Sequence, residues 1–125
     1  MKYKLAVFDM DGTILDTLSD LTASTNYALK AAGLKEKTRE DVRKYIGDGV
    51  KELIERACAP VTDEKIIEKV FVAFAEYYKE HGEDLTRPYP GIVEAIKTLR
   101  ANGIKTGVVS NKLEYAVIPL AERFF

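Results

Sequence analysis

The sequence predicts an α/β fold in which a parallel sheet is interrupted by a helical module. Three observations predict it. A short apolar run, Leu5 to Phe8, leads into two closely spaced aspartates; four helical patterns follow with no strand between them; a further helix and an apolar strand come next. Strand, helix, strand is the outline of a parallel α/β unit, so we expect the four helices to be an insertion after the first strand.

Composition limits the classes of protein to which such a fold could belong. The chain has 125 residues, of which 46% are hydrophobic and 31% charged, as in one ordinary globular domain. A formal net charge of -1 provides no basic field for nucleic acid. The single cysteine excludes an internal disulfide framework, and the N-terminal apolar run is too short for a signal or membrane segment. We expect a soluble, cytoplasmic protein with no nucleic-acid or membrane partner.

The first predicted strand spans Lys4 to Asp9. Its apolar residues run continuously instead of alternating, so we expect burial on both faces. Gly12 and Thr13 then turn the backbone, which leaves Asp9 and Asp11 in a loop at the carboxyl end of the strand. Open α/β sheets place ligands at that end.

Four amphipathic helices are predicted after this loop. Their ranges are, in order, about 17–33, 38–46, 50–59 and 62–82. Capping boxes at Thr17–Asp20 and Thr38–Asp41 begin the first two helices, and Gly47-Asp48-Gly49 ends the second. The aromatic residues of the fourth helix are expected to form the core of the module: Phe71, Phe74, Tyr77 and Tyr78.

The proline segment Leu85–Gly91 ends the helical module, because Pro88 and Pro90 force extended backbone. A helix from Ile92 and a strand over Ile104–Val109 complete the parallel unit. The predicted organisation is therefore core at 1–15, helical insertion at 16–84 and core at 85–125. Asp16-Thr17 and the proline segment are the two tethers of the insertion and are expected to act as hinges.

The second strand leads into Ser110-Asn111-Lys112. If it pairs in parallel beside the first strand, a hydroxyl, loop amides and an ammonium group converge with Asp9 and Asp11. Such a group suits a phosphorylated substrate bound with a hard cation, since carboxylates hold Mg²⁺ and hydroxyl and amide donors cradle phosphate. A calcium loop is less suitable, because Thr13 and Leu15 stand where further ligands are needed.

These residues resemble a known family. Asp9-Met10-Asp11-Gly12-Thr13 is similar to the first signature of the haloacid dehalogenase superfamily, and Val108–Lys112 resembles its second. The helical insertion is similar to that family's cap. Within the superfamily, the Ile46–Val50 turn and the Thr86–Gly91 tether most resemble phosphoglycolate phosphatases. The resemblance implies a Rossmann-like parallel core with an inserted four-helix cap.

The resemblance also implies roles for the matched residues. Asp9 would be the nucleophile and a Mg²⁺ ligand; Asp11 would be the general acid and base, with its backbone carbonyl on the metal. Ser110 and Asn111 would bind the phosphoryl group, and Lys112 would add positive field. An aspartate at the second position favours phosphoester chemistry over carbon-halogen cleavage. Gly47-Asp48-Gly49 would contact the substrate, a small phosphorylated metabolite for which phosphoglycolate is the leading candidate.

Two later signatures of the superfamily are missing from these 125 residues: the lysine that binds phosphate and the downstream acidic pair. We therefore expect a truncated chain, the N-terminal part of such a fold, with little or no activity of its own. Its unpaired sheet edge would favour self-association. Two alternatives stay open, namely a sugar phosphomutase of the same superfamily and a non-catalytic interaction module.

Two further residues are expected to be structural. Cys58 follows Ile54 at helical spacing and is expected to pack in the interior. His81 ends the fourth helix and is expected to lie at the surface.

Overall fold

The fold is taken from a computed structural model, which describes residues 3–10, 12–109 and 114–125. The elements are, in chain order, β1 (Leu5–Asp9), β2 (Leu15–Asp16), α1 (Leu18–Ala31), α2 (Arg39–Tyr45), α3 (Val50–Cys58), α4 (Glu64–His81), β3 (Arg87–Pro88), α5 (Ile92–Ala101), β4 (Lys105–Val109) and α6 (Glu114–Phe124). The predicted α/β class is confirmed, with four consecutive helices between β2 and β3.

Strands β1 and β4 form a parallel pair, as the sequence predicts. Their register runs from Leu5 opposite Lys105 to Asp9 opposite Val109. Helix α5 connects them, which is the crossover that a parallel pair needs. The carboxyl ends of both strands therefore reach the same edge of the sheet.

Burial of β1 on both faces is a wrong prediction. Phe8 and Val108 lie on the face that packs against α5 and α6, within a cluster centred on Met10 and Leu120. On the opposite face, the side chains of Leu5, Val7 and Val109 are 59%, 52% and 64% exposed. The prediction was based on an apolar run that does not alternate. Within the described residues, however, helices cover only one face of the sheet, so the apolar side chains on the other face stay exposed.

The four helices α1 to α4 pack around their own apolar core. Phe74 and Tyr78 of α4 are buried there, with their rings stacked 5.4 Å apart. Leu29 from α1 and Ile54 from α3 complete its centre. This cluster is separate from the one beneath the sheet, as expected for a helical module with its own interior.

The two predicted capping boxes have different outcomes. At Thr38 the box is confirmed: its hydroxyl accepts from the Asp41 amide, and the Asp41 carboxylate accepts from the Thr38 amide, each at 3.1 Å. The bond from the Thr38 amide lowers the pKa of Asp41. The box at Thr17 is wrong, because within the described residues Thr17 makes no side-chain cap and the Asp20 carboxylate binds elsewhere.

The two tethers of the helical module pair with each other as short strands, which is not predicted from the sequence. Strands β2 and β3 are antiparallel, with Leu15 opposite Pro88 and Asp16 opposite Arg87. The amide of Tyr89 donates to the Ile14 carbonyl at 3.3 Å, which extends the pairing by one bond. A two-residue strand has too few positions to show alternation, so periodicity could not reveal it.

Two expectations about the module's side chains are confirmed. The Cys58 thiol is buried, and burial raises its pKa, so it stays protonated at neutral pH. His81 lies in the last turn of α4, partly exposed, where its Nδ1 lies 2.9 Å from the Asp84 carboxylate.

Across the described ranges, the helices are too short or too polar to cross a membrane.

Candidate functional site

Of the two aspartates predicted at the edge of the sheet, Asp9 lies within the described residues. It is the last residue of β1, and its side chain is exposed at the carboxyl edge of the sheet. The Thr13 hydroxyl donates to Asp9 Oδ2 at 3.4 Å, a long hydrogen bond. The Asp9 carboxylate is therefore open to a ligand and contacted from one side by a neutral donor.

The loop that follows Asp9 is anchored in the core. Met10 is fully buried, and its carbonyl accepts from the amides of Thr13, Ile14 and Leu15 at 3.1–3.3 Å. Gly12 has a φ of 77°, in the left-handed region that glycine adopts without strain. A tight backbone turn on a buried side chain holds the start of this loop in place, so the position of Asp9 is fixed by packing.

The other predicted site residues of the sheet edge follow β1 and β4 in the sequence. Asp11 and the run Ser110-Asn111-Lys112 lie outside the described residues. Their grouping with Asp9 depends on the parallel pairing of β1 with β4. That pairing is confirmed, because Val109, the residue before Ser110, is registered opposite Asp9. The convergence of the hydroxyl, amide and ammonium groups stays a prediction.

The Gly47-Asp48-Gly49 turn joins α2 to α3. Both glycines have positive φ, 113° and 102°, so the turn needs residues without a Cβ at these positions. The Asp48 carboxylate accepts from Arg56 at 2.7 Å, and Arg56 also donates to the Tyr45 carbonyl at 2.9 Å. The chain's own guanidinium thus orients Asp48; contact between this turn and a substrate stays a prediction.

Sequence reasoning missed two of these contacts. Thr13 stands within the first signature but receives no role there, although a hydroxyl next to a turn glycine is a recognisable donor. Arg56 lies eight positions from Asp48, on a different helix from the residues before the turn, and no periodic pattern links the two.

The donor set at Asp9 fits a Mg²⁺ ion. An exposed carboxylate on a rigid strand end is a hard oxygen ligand, and Mg²⁺ is typically held by one or two carboxylates while it keeps several waters. In the described part of the chain, no three His, Cys, Asp or Glu side chains converge into a protein cage. An exposed carboxylate such as that of Asp9 suits an ion that keeps part of its hydration shell.

The chain is similar to known proteins along nearly its whole length. The profile of the haloacid dehalogenase-like hydrolase family matches residues 6–124. A phosphoglycolate phosphatase from Agrobacterium fabrum is 38% identical over 122 residues, which cover 95% of this chain and 52% of that protein. The N-acetylmuramic acid 6-phosphate phosphatase of Pseudomonas aeruginosa is 34% identical over 123 residues, covering 98% of this chain and 54% of that protein.

Solved structures share the same architecture. The crystal structure of a predicted phosphoglycolate phosphatase from Haemophilus somnus superposes with a TM-score of 0.92 at 32% identity, over 99% of this chain and 58% of that chain. The chain thus spans about half the length of the curated relatives it matches. Since the family profile covers nearly all of its residues, the chain belongs to the haloacid dehalogenase-like hydrolases, a family of enzymes.

Proposed function

We propose that the protein is a Mg²⁺-dependent phosphomonoester hydrolase that works through an aspartyl-phosphate. The observation that carries this proposal is the exposed Asp9 carboxylate at the end of β1, with the end of β4 registered beside it. A carboxylate in that position can reach a substrate in solution while its backbone is held by the sheet. The phosphatase names of the relatives support the same chemistry.

The proposed reaction has two displacements at phosphorus. An Asp9 carboxylate oxygen forms a bond to phosphorus as the ester P–O bond breaks, and Asp11 gives its proton to the leaving alkoxide. Water then attacks the phosphorus of the aspartyl-phosphate while Asp11 takes a proton from it, which releases phosphate and regenerates Asp9. Ser110 and Asn111 would donate hydrogen bonds to the phosphoryl oxygens, and Lys112 would add positive charge. Bound Mg²⁺ would supply charge neutralisation on the phosphoryl oxygens.

Phosphoglycolate is the substrate that we propose first, because relatives with that name match at up to 38% identity. The Gly47-Asp48-Gly49 turn is proposed to contact it from the cap. A relative named for a different phosphomonoester matches nearly as well, so the class of substrate is better supported than its identity.

The single unpaired thiol, Cys58, supports a cytoplasmic location.

A titration of the 125-residue chain with phosphoglycolate tests the proposed site without depending on turnover. We expect backbone amide resonances of Asp9 and Val109 to shift on adding the substrate with Mg²⁺, and EDTA to reverse the shift. Hexose 1- and 6-phosphates, added in parallel titrations, test the alternative of a sugar phosphomutase, which predicts larger shifts with a hexose phosphate than with phosphoglycolate. If these amides do not respond to any phosphomonoester, the site is wrongly assigned.

The chain alone is expected to release phosphate from phosphoglycolate only slowly. The phosphate-binding lysine and second acidic pair that the family resemblance implies are not among its 125 residues, and both stabilise phosphoryl transfer. Rapid turnover by the purified chain would contradict this expectation and would still support the phosphatase assignment.

A non-catalytic interaction module is the second candidate function, and the exposed apolar face of the sheet favours it. Leu5, Val7 and Val109 are all more than half exposed on that face. We propose that a second copy of the chain covers this face and edge. Light scattering should then give a dimer mass that Val7→Lys reduces to a monomer's, with Val72→Lys on the exposed side of α4 as control. A monomer at all concentrations rejects this candidate.

A further inference from the structure

Asp20 is a buried carboxylate that the proposed reaction does not use. It lies in the first turn of α1 and is only 3% exposed. Its two oxygens accept from the Leu85 amide at 3.1 and 2.9 Å, and Oδ2 also accepts from the Thr86 hydroxyl at 2.6 Å. A buried carboxylate with short, charge-assisted hydrogen bonds is an expensive arrangement to disrupt.

The partners of Asp20 are 65 and 66 positions away in sequence. Asp20 stands where the chain enters the helical module, and Leu85 and Thr86 stand where it leaves. Thr86 is itself fully buried, and its hydroxyl also lies 3.1 Å from the Gly82 carbonyl at the end of α4. The contact therefore closes the module at its base, joining the start of α1 to the segment after α4.

The change from one apolar core to the other occurs immediately below this contact. Leu15 belongs to the cluster beneath the sheet, whereas Leu18 belongs to the cluster inside the helices. Between them, Asp16 lies opposite Arg87 of the returning tether in the β2–β3 pairing. Packing thus leaves only a short stretch of each tether between the two cores.

We infer that Asp20 is a latch that joins the two tethers on the helical side, so that the Asp20–Leu85 contact and the pairing of β2 with β3 open and close together. The ion pair between Arg39 of α2 and Asp16, at 3.6 Å, crosses the same junction, but both of its side chains are about half exposed. An exposed pair of that kind is worth little and can open while the buried latch stays closed. This role is independent of the proposed reaction.

Amide hydrogen exchange of the full 125-residue chain separates a latch from a local cap. Asp20→Ala removes the acceptor of the Leu85 amide, and we expect the protection factor of that amide to fall about tenfold or more. If Asp20 joins the tethers, the Tyr89 amide, which donates to Ile14 and does not touch Asp20, should lose protection to a similar extent. The Phe74 amide in the interior of α4 serves as the reference for global unfolding.

Two variants support this test. Thr86→Val removes the hydroxyl that binds Asp20 with little change of shape, so it replaces Asp20→Ala if that variant does not fold. We expect Thr86→Val to lower the protection factors of the Leu85 and Tyr89 amides as well. Asp63→Ala is the matched control, because the hydrogen bond that the Asp63 side chain makes within the described residues comes from the nearby Lys65 amide at the start of α4. We expect it to leave the protection of Leu85 and Tyr89 unchanged relative to Phe74.

Two outcomes would overturn the inference. In the first, Leu85 exchanges faster while Tyr89 keeps its wild-type protection in both Asp20→Ala and Thr86→Val, which would make Asp20 a local cap. In the second, Leu85, Tyr89 and Phe74 all change by the same factor, which would make its role one of global stability alone.

Discussion

Replacement of Asp9 by asparagine is expected to abolish the Mg²⁺-dependent release of phosphate from phosphoglycolate. Whatever rate the chain shows should fall roughly a thousandfold or more, to background, as it does when a nucleophile is removed from other enzymes. The amide has the shape of the carboxylate but neither its nucleophilic oxygen nor its charge for Mg²⁺. Phosphate release at high protein concentration over long times measures the residual rate.

The shift of the Val109 amide on adding Mg²⁺ and phosphoglycolate gives a second measure for Asp9→Asn, independent of the rate. We expect this shift to be lost as well. Asp84→Asn is the control, since Asp84 pairs with His81 at the end of α4 and has no part in the proposed site. Wild-type phosphate release by Asp9→Asn, with Mg²⁺ present, would exclude Asp9 as the nucleophile.

Replacement of Phe74 by alanine is expected to have the largest effect on stability. Phe74 is 2% exposed at the centre of the helical cluster, stacked on Tyr78, and its truncation leaves a cavity among α1, α3 and α4. Such substitutions cost about 3–5 kcal/mol. Because a small domain is stable by only about 5–15 kcal/mol, a substantial part of the margin of the chain would be lost. Urea denaturation followed by circular dichroism measures the change in the free energy of unfolding.

Val72→Ala is the matched control for Phe74→Ala, because Val72 lies on the same helix with 46% of its surface exposed. We expect it to change the free energy of unfolding by less than about 1 kcal/mol, since truncation of an exposed side chain leaves no cavity. Equal losses from the two variants would contradict the assignment of the stability of the module to its packed interior, since alanine has a higher helix propensity than either residue that it replaces.

Periodicity in the sequence predicts the helices well, because each is long enough to repeat its pattern, whereas the two parallel strands were predicted from short continuous apolar runs. The Thr38–Asp41 box was predictable since its contacts are local in sequence. The identical reasoning failed at Thr17, where Asp20 binds a segment 65 positions away. A local motif and a distant contact compete for the same carboxylate, and only the folded chain decides between them.

The candidate site was predictable to a smaller extent. Asp9 could be placed at the end of a strand because the apolar run stops there, and its register opposite Val109 follows from parallel pairing. The orientation of Asp48 by Arg56 could not be predicted, since it depends on the path of the Gly47-Asp48-Gly49 turn, in which both glycines have positive φ. Exposure of Leu5 and Val7 was also beyond the sequence, because an apolar residue does not reveal what covers it.

The pairing of the tethers has a mechanical consequence for the loop that carries Asp9. The Ile14 carbonyl that accepts from Tyr89 and the Leu15 carbonyl that accepts from Gly12 belong to the same short stretch of chain. A twist of the tethers is therefore transmitted to the Asp9 loop through main-chain bonds. Because those bonds are made by main-chain groups, the coupling between the tethers and the Asp9 loop tolerates substitution wherever the donor amides and the left-handed backbone of Gly12 are kept.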